Sequence, residues 1–162
     1  MKPLFALVLT ALALAACDRK PAQTPTSFER NGHAYQWNMI GLPGRAGLYV
    51  SAMDEANRGR VLFTISCTDP GYGGLTLRFG ALTDGPLSVE AEDQTFAVAS
   101  VRKETGKGAN VTGESYFPDG WYKSLGRADQ IVVSHGRDRW TFAGPGEHLV
   151  RRFNRLCLGR RL

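Results

Sequence analysis

From residue 34 onward, apolar and polar residues alternate with a period of two in short runs. AYQWNMI (34–40) carries Tyr35, Trp37 and Met39 on one face, with polar residues between them. The runs GLYVSAM (47–53), RVLFTISC (60–67), LTLRF (75–79), LSVEAE (87–92) and TFAVASV (95–101) follow. NVTGESYF (110–117), QIVVSH (130–135) and RWTFAG (139–144) complete the series. These runs are rich in β-branched and aromatic residues and are bounded by Gly, Pro or Asp, which predicts strands. Their regular spacing predicts a mainly β, antiparallel sandwich or barrel-like domain. Ala91-Glu92-Asp93-Gln94 and Gly136-Arg137-Asp138 are expected at hairpin turns, and Pro118-Asp119-Gly120 at a turn with a positive φ at glycine.

The periodicity changes after Gly144-Pro145-Gly146. In EHLVRRFNRLCL (147–158), Leu149, Val150, Phe153, Leu156 and Cys157 share one helical face. Arg151, Arg152 and Arg155 take the other. Glu147 in the first turn and arginines in the last suit the helix dipole, and Gly159 suits the C-terminal stop. An amphipathic helix packed on the sheet is therefore expected over 147–158. WYKSLGRA (121–128) is a weaker helical candidate because Gly126 lowers its propensity.

The first sixteen residues follow neither pattern. Met1-Lys2 begins positively, and Leu4 to Ala16 is apolar apart from Thr10. A membrane span needs about 20 apolar residues, so this run is too short to cross a bilayer. It fits the apolar core of a secretory signal peptide. Residues 17–30 then hold prolines, polar residues and little apolar content, as expected for a flexible tether. The expected organisation is a signal peptide over 1–16, a tether over 17–30 and one β-rich domain over 31–162.

Leu14-Ala15-Ala16-Cys17 resembles the lipobox of bacterial lipoproteins. The resemblance implies cleavage before Cys17, diacylglyceryl transfer to its thiol and N-acylation. The protein would then be held on a membrane by lipid and face the periplasm. More than one acyl chain is needed for stable anchoring. Asp18 resembles the signal that retains enteric lipoproteins in the inner membrane, with the outer membrane as the alternative.

With Cys17 lipidated, Cys67 and Cys157 remain. In an oxidising compartment they are expected to form a disulfide, with two buried free thiols as the alternative. Neither has a second cysteine or histidine at ligand spacing, so no metal site and no cofactor is expected.

The net charge of +5 is unevenly distributed. Residues 17–150 hold 14 basic and 15 acidic side chains, while residues 151–162 hold five arginines and no acid. The basic excess thus belongs to one segment, and no nucleic-acid partner is expected.

The order FTISC (63–67), WTFAGPG (140–146), LVRRFNRLC (149–157) resembles the invasion-associated locus B family and periplasmic accessory proteins of type VI secretion. That resemblance implies an exported accessory β domain. Thr112-Gly113-Glu114-Ser115-Tyr116 loosely resembles the serine, glycine and tyrosine loop of lipoprotein lysozyme inhibitors. It departs in residue order, so no inhibitory residue transfers.

Candidate chemistry is sparse. His33, His135 and His148 do not stand at metal-ligand spacing, and no G-x-S-x-G motif is present. His135-Gly136-Arg137-Asp138 reads as a charged hairpin tip, and TGKGANVTG (105–113) as a mobile one. Glu90, Glu92 and Asp93 could supply a carboxylate pair for glycoside hydrolysis, but Glu90 and Glu92 also fit the wet face of a strand. No catalytic residue is assigned. Tyr116, Trp121, Tyr122 and Arg127 form a candidate binding patch. Arg151, Arg152 and Arg155 are candidates for lipid-headgroup contact. The expected function is a non-enzymatic binding or accessory module of the envelope, partnered by the membrane and by an envelope protein or cell-wall component. An inhibitor of a cell-wall hydrolase is the first alternative and an envelope hydrolase the second.

Overall fold

The computed structural model describes residues 27–30, 33–53, 60–79, 85–105 and 108–159. The expected signal peptide, Cys17 and most of the expected tether lie outside the described residues. Eleven strands and two helices are found among those described. They run β1 (Ser27–Arg30), β2 (His33–Leu42), β3 (Arg45–Ala52), β4 (Val61–Asp69), β5 (Tyr72–Phe79), β6 (Leu87–Ala91), β7 (Gln94–Val98), β8 (Val101–Thr105) and β9 (Gly108–Tyr116). Then come α1 (Trp121–Arg127), β10 (Gln130–His135), β11 (Asp138–Ala143) and α2 (Glu147–Cys157).

Two antiparallel sheets form a sandwich that does not close into a barrel. The larger has the order β1-β2-β3-β4-β5-β9-β8, and the smaller β11-β10-β6-β7. Alternation decides which residues face inward. Trp37, Leu48, Val50, Phe63, Ile65, Leu75, Leu77 and Val111 of the larger sheet are buried in the core. They meet Leu87, Val89, Phe96, Ile131, Val133 and Phe142 of the smaller. Phe63 lies edge-on to Trp37 with ring centroids 6.5 Å apart, and stacks on Phe142 at 6.2 Å. Each such side chain contributes about 1.5–3 kcal/mol when it leaves water.

Helix α2 completes the core where the smaller sheet does not reach. Val150, Phe153, Leu156 and Cys157 are buried in the same cluster as the sheet residues. The helix ends as its sequence requires. Gly159 adopts φ 70°, its amide donates to Leu156 O at 2.9 Å, and Leu158 N donates to Asn154 O at 3.0 Å. Cys67 and Cys157 are joined in a disulfide with Cα atoms 5.8 Å apart. It pins α2 to the end of β4.

Two elements differ from the sequence expectation. First, Ser27–Arg30 is a strand paired with Ala34, Tyr35, Gln36 and His33 of β2, not the end of a tether. An edge strand needs one line of backbone pairing, so its low apolar content did not prevent it. Second, TFAVASV is not one strand. β7 ends at Val98 in the smaller sheet and β8 begins at Val101 in the larger, so the chain changes sheets at Ala99-Ser100. Ser100 Oγ donates to Gly85 O at 2.6 Å and fixes that corner. The weaker helical candidate at 121–128 does form, as α1, with Gly126 inside it. A Cβ there would lie 3.4 Å from Glu147 Cα, an ordinary contact, so the packing of α1 on α2 does not depend on glycine.

Candidate functional site

The two helices bring together residues that the sequence placed in separate groups. A groove of about 370 Å³ is lined by Tyr122, Lys123 and Arg127 of α1 and by Glu147, Val150, Arg151 and Asn154 of α2. Three cations thus face one carboxylate, and Arg151 Nη2 donates to Glu147 Oε1 at 2.5 Å. Tyr122 forms the floor. Its ring packs on Phe117 at 5.3 Å and on Phe153 at 5.9 Å. Its hydroxyl is buried and makes no hydrogen bond within the described residues. Burial pushes this phenol far above the ordinary value of 10.0.

The expected aromatic patch is divided. Trp121 is fully buried, with its ring 5.7 Å from that of Phe96, so it is a core residue. Tyr116 is 75% exposed and lies at the end of β9, where its ring meets Tyr72 at 5.1 Å. Only Tyr122 and Arg127 share the groove. The arginine set divides similarly: Arg151 lines the groove, while Arg152 and Arg155 are exposed elsewhere on α2.

The carboxylates considered for hydrolysis have other partners. Glu90 accepts from Arg139 Nη2 through both oxygens, at 3.1 and 3.0 Å. Asp93 Oδ1 accepts from Ser124 Oγ at 3.1 Å, and Glu92 occupies the β6–β7 turn with φ 51°. His135 is buried at the end of β10 rather than exposed at a hairpin tip, and its Nε2 lies 3.4 Å from Ser100 Oγ. Thr112–Tyr116 is strand β9, paired with β5, and is not a loop. Residues 106 and 107 of the expected mobile tip lie outside the described residues. Among the described residues, no group of three His, Cys, Asp or Glu could hold a metal ion. No helix among them is long and apolar enough to cross a membrane.

The other concavity was not anticipated. It occupies about 620 Å³ on the outer face of the larger sheet. Gln36, Asn38 and Ile40 of β2 line it with Tyr49 and Ser51 of β3, Val61 and Thr64 of β4, and Arg78 of β5. Ala52 and Met53 close one end. Asn38 Nδ2 donates to Ser51 Oγ at 2.8 Å and to Gln36 O at 3.2 Å, which holds the amide in place. The β3–β4 register shifts between Val50 and Ser51. Such a bulge adds local twist to a sheet. Amides, hydroxyls and a guanidinium here stand beside an aromatic ring and aliphatic groups. This mixture can hydrogen-bond a polar chain while covering its apolar parts. The signal lay in the polar half of the alternation, Gln36, Asn38 and Thr64.

No protein-family model matches the chain. No curated protein matches it either. Among solved structures, the fold is similar to the crystal structure of invasion associated protein b from Bartonella henselae. The identity is 15% and the TM-score 0.42, over 75% of this chain and 90% of that one.

Proposed function

We propose that this protein is a lipid-anchored envelope lipoprotein whose β domain is a non-enzymatic binding or accessory module facing the periplasm. The outer-face concavity carries the reading. Its lining offers hydrogen-bond donors and acceptors with apolar contacts on a rigid sheet, as ligand sites do. The ligand class it suits is an extended polar chain, a peptide or a glycan strand, supplied by an envelope protein or by the cell wall. The lipobox resemblance at Leu14–Cys17 supports the anchor, and Asp18 favours the inner membrane.

The test uses the chain from residue 17 with Cys17→Ser. It is sedimented with purified cell-wall sacculi and, separately, used to capture partners from envelope extract. Asn38→Ala and Tyr49→Ala should each weaken capture at least severalfold without lowering thermal stability by more than a few degrees. Capture equal to that of the unaltered chain would remove the concavity from the reading. Inhibition of lysozyme by the same chain would replace it with the hydrolase-inhibitor alternative.

A further inference from the structure

One end of the larger sheet carries a set of exposed side chains that the concavity and the helix groove leave unused. The β2–β3 turn has Pro43 and Gly44 between the paired residues Leu42 and Arg45, with Gly44 at φ 83°. Its tip is fixed to α2, because Gly44 N donates to Leu156 O at 2.7 Å. Leu42 is 74% exposed, and Leu158, just beyond α2, is 43% exposed.

Strand register places more residues at the same end. Ala46 pairs with Cys67, Asp69 with Tyr72, and Tyr72 with Tyr116. Tyr116 therefore shares this rim with Leu42. Arg45 is exposed beside Leu42, and Arg155 is exposed in the last turn of α2. Asp69 is the carboxylate of the β4–β5 turn at this end.

The polarity of β1 points to the same place. Arg30 pairs with His33 and Ser27 with Gln36, while β2 continues to Leu42. The first residue of β1, Ser27, therefore lies on the side of the strand nearer the Leu42 end. Ten residue steps separate Cys17 from Ser27. They reach at most about 35 Å.

We infer that this rim is the surface by which the domain lies against an anionic bilayer, with Leu42 and Leu158 entering the headgroup layer, Tyr116 at its boundary and Arg45 and Arg155 on the phosphates. Exposed leucines cannot be explained by the core, whereas insertion buries them. Tyrosine is enriched at membrane–water boundaries. Basic side chains gain from an anionic leaflet. The inference rests on the anchor reading only for the side from which the tether enters. The rim's own chemistry does not require the acyl group.

The experiment is co-flotation of the chain from residue 17, with Cys17→Ser, on phosphatidylcholine vesicles with and without phosphatidylglycerol. All the described elements lie beyond the removed residues. The chain should float with the anionic vesicles and lose that binding as salt rises. Leu42→Ser with Leu158→Ser should weaken binding by about tenfold or more. Arg45→Gln and Arg155→Gln should each weaken it by about fivefold. The melting temperature of each variant checks that the fold survives. Absence of flotation by the unaltered chain would overturn the inference, as would equal flotation of the leucine variant. Self-association abolished by Leu42→Ser would assign the rim to a second copy instead. The acyl mass on Cys17 is measured separately, so failure of the anchor and failure of the rim are distinguishable.

Discussion

The indole nitrogen of Trp37 donates to the carbonyl oxygen of Ala143 at 2.7 Å. This bond joins β2 of the larger sheet to β11 of the smaller across 106 positions of sequence. Trp37 is almost wholly buried, while Ala143 is half-buried. Trp37→Phe removes the donor, leaves the Ala143 carbonyl without that partner and opens space beside Phe63. A loss of about 2–4 kcal/mol is expected. Urea denaturation followed by circular dichroism measures it, and a loss below about 1 kcal/mol would show that the core refills the site.

The disulfide between Cys67 and Cys157 closes a loop of 90 positions. In the chain-entropy model such a loop restricts the unfolded chain by about 4–5 kcal/mol, an upper value because residual structure lowers it. The Cys67→Ala/Cys157→Ala variant should therefore unfold at lower urea. Its urea dependence should steepen as the released chain exposes more surface. An unchanged midpoint would mean that the apolar face of α2 alone holds the helix on the sheet.

Gly144 follows β11 at a crowded junction. Its amide donates to Asp129 O at 2.8 Å, and an added Cβ would stand 1.7 Å from Ala128 O. Backbone cannot yield as a flexible side chain can. Gly144→Ala should cost about 3 kcal/mol or more, at the upper end of overpacking effects. The same change at Gly120, where no atom lies within 4 Å, strains only the backbone conformation and should cost less. Parallel thermal melts of the two variants compare them.

The Tyr122 hydroxyl gives a dependence on alkaline pH. Burial raises its folded-state pKa above the ordinary value of 10.0. Below pH about 10 the phenol is neutral in both states, and this contribution to stability is fully present. As pH rises above that value the unfolded chain ionises first, so stability falls. Tyr122→Phe removes a buried hydroxyl that makes no hydrogen bond within the described residues. It should leave stability at neutral pH unchanged or slightly higher, and flatten the alkaline decline. Denaturation midpoints of both proteins from neutral pH to above pH 10 provide the check. A steeper decline in the variant would contradict the assigned cause.

Much of the sandwich was legible because burial on one side forces alternation. Leu87, Val89 and Ala91 repeat at period two in β6, as do Ile131 and Val133 in β10. Helix α2 was legible for a similar reason: Val150, Phe153 and Leu156 face inward while Arg151, Arg152 and Arg155 do not. Strand β1 was not legible, because pairing at a sheet edge is a backbone property. The break at Ala99-Ser100 was hidden because no glycine or proline marks it, although β7 and β8 belong to different sheets. The candidate sites were less legible still. Trp121 and Tyr122 are adjacent in sequence, yet one is core and the other lines a groove. Joining Arg127 to Arg151 required the close contact of α1 with α2. The Leu42 rim required strand register to place Tyr116 at the same sheet end as a turn more than 70 positions upstream.

Helix α2 follows every described strand in the chain, yet it supplies part of the core beneath them. Delivered residue by residue, from a ribosome or through a membrane channel, the two sheets would emerge with that end of their interior open. Closure must then wait for Phe153 and Cys157, so the sandwich stays open at that end until α2 has emerged.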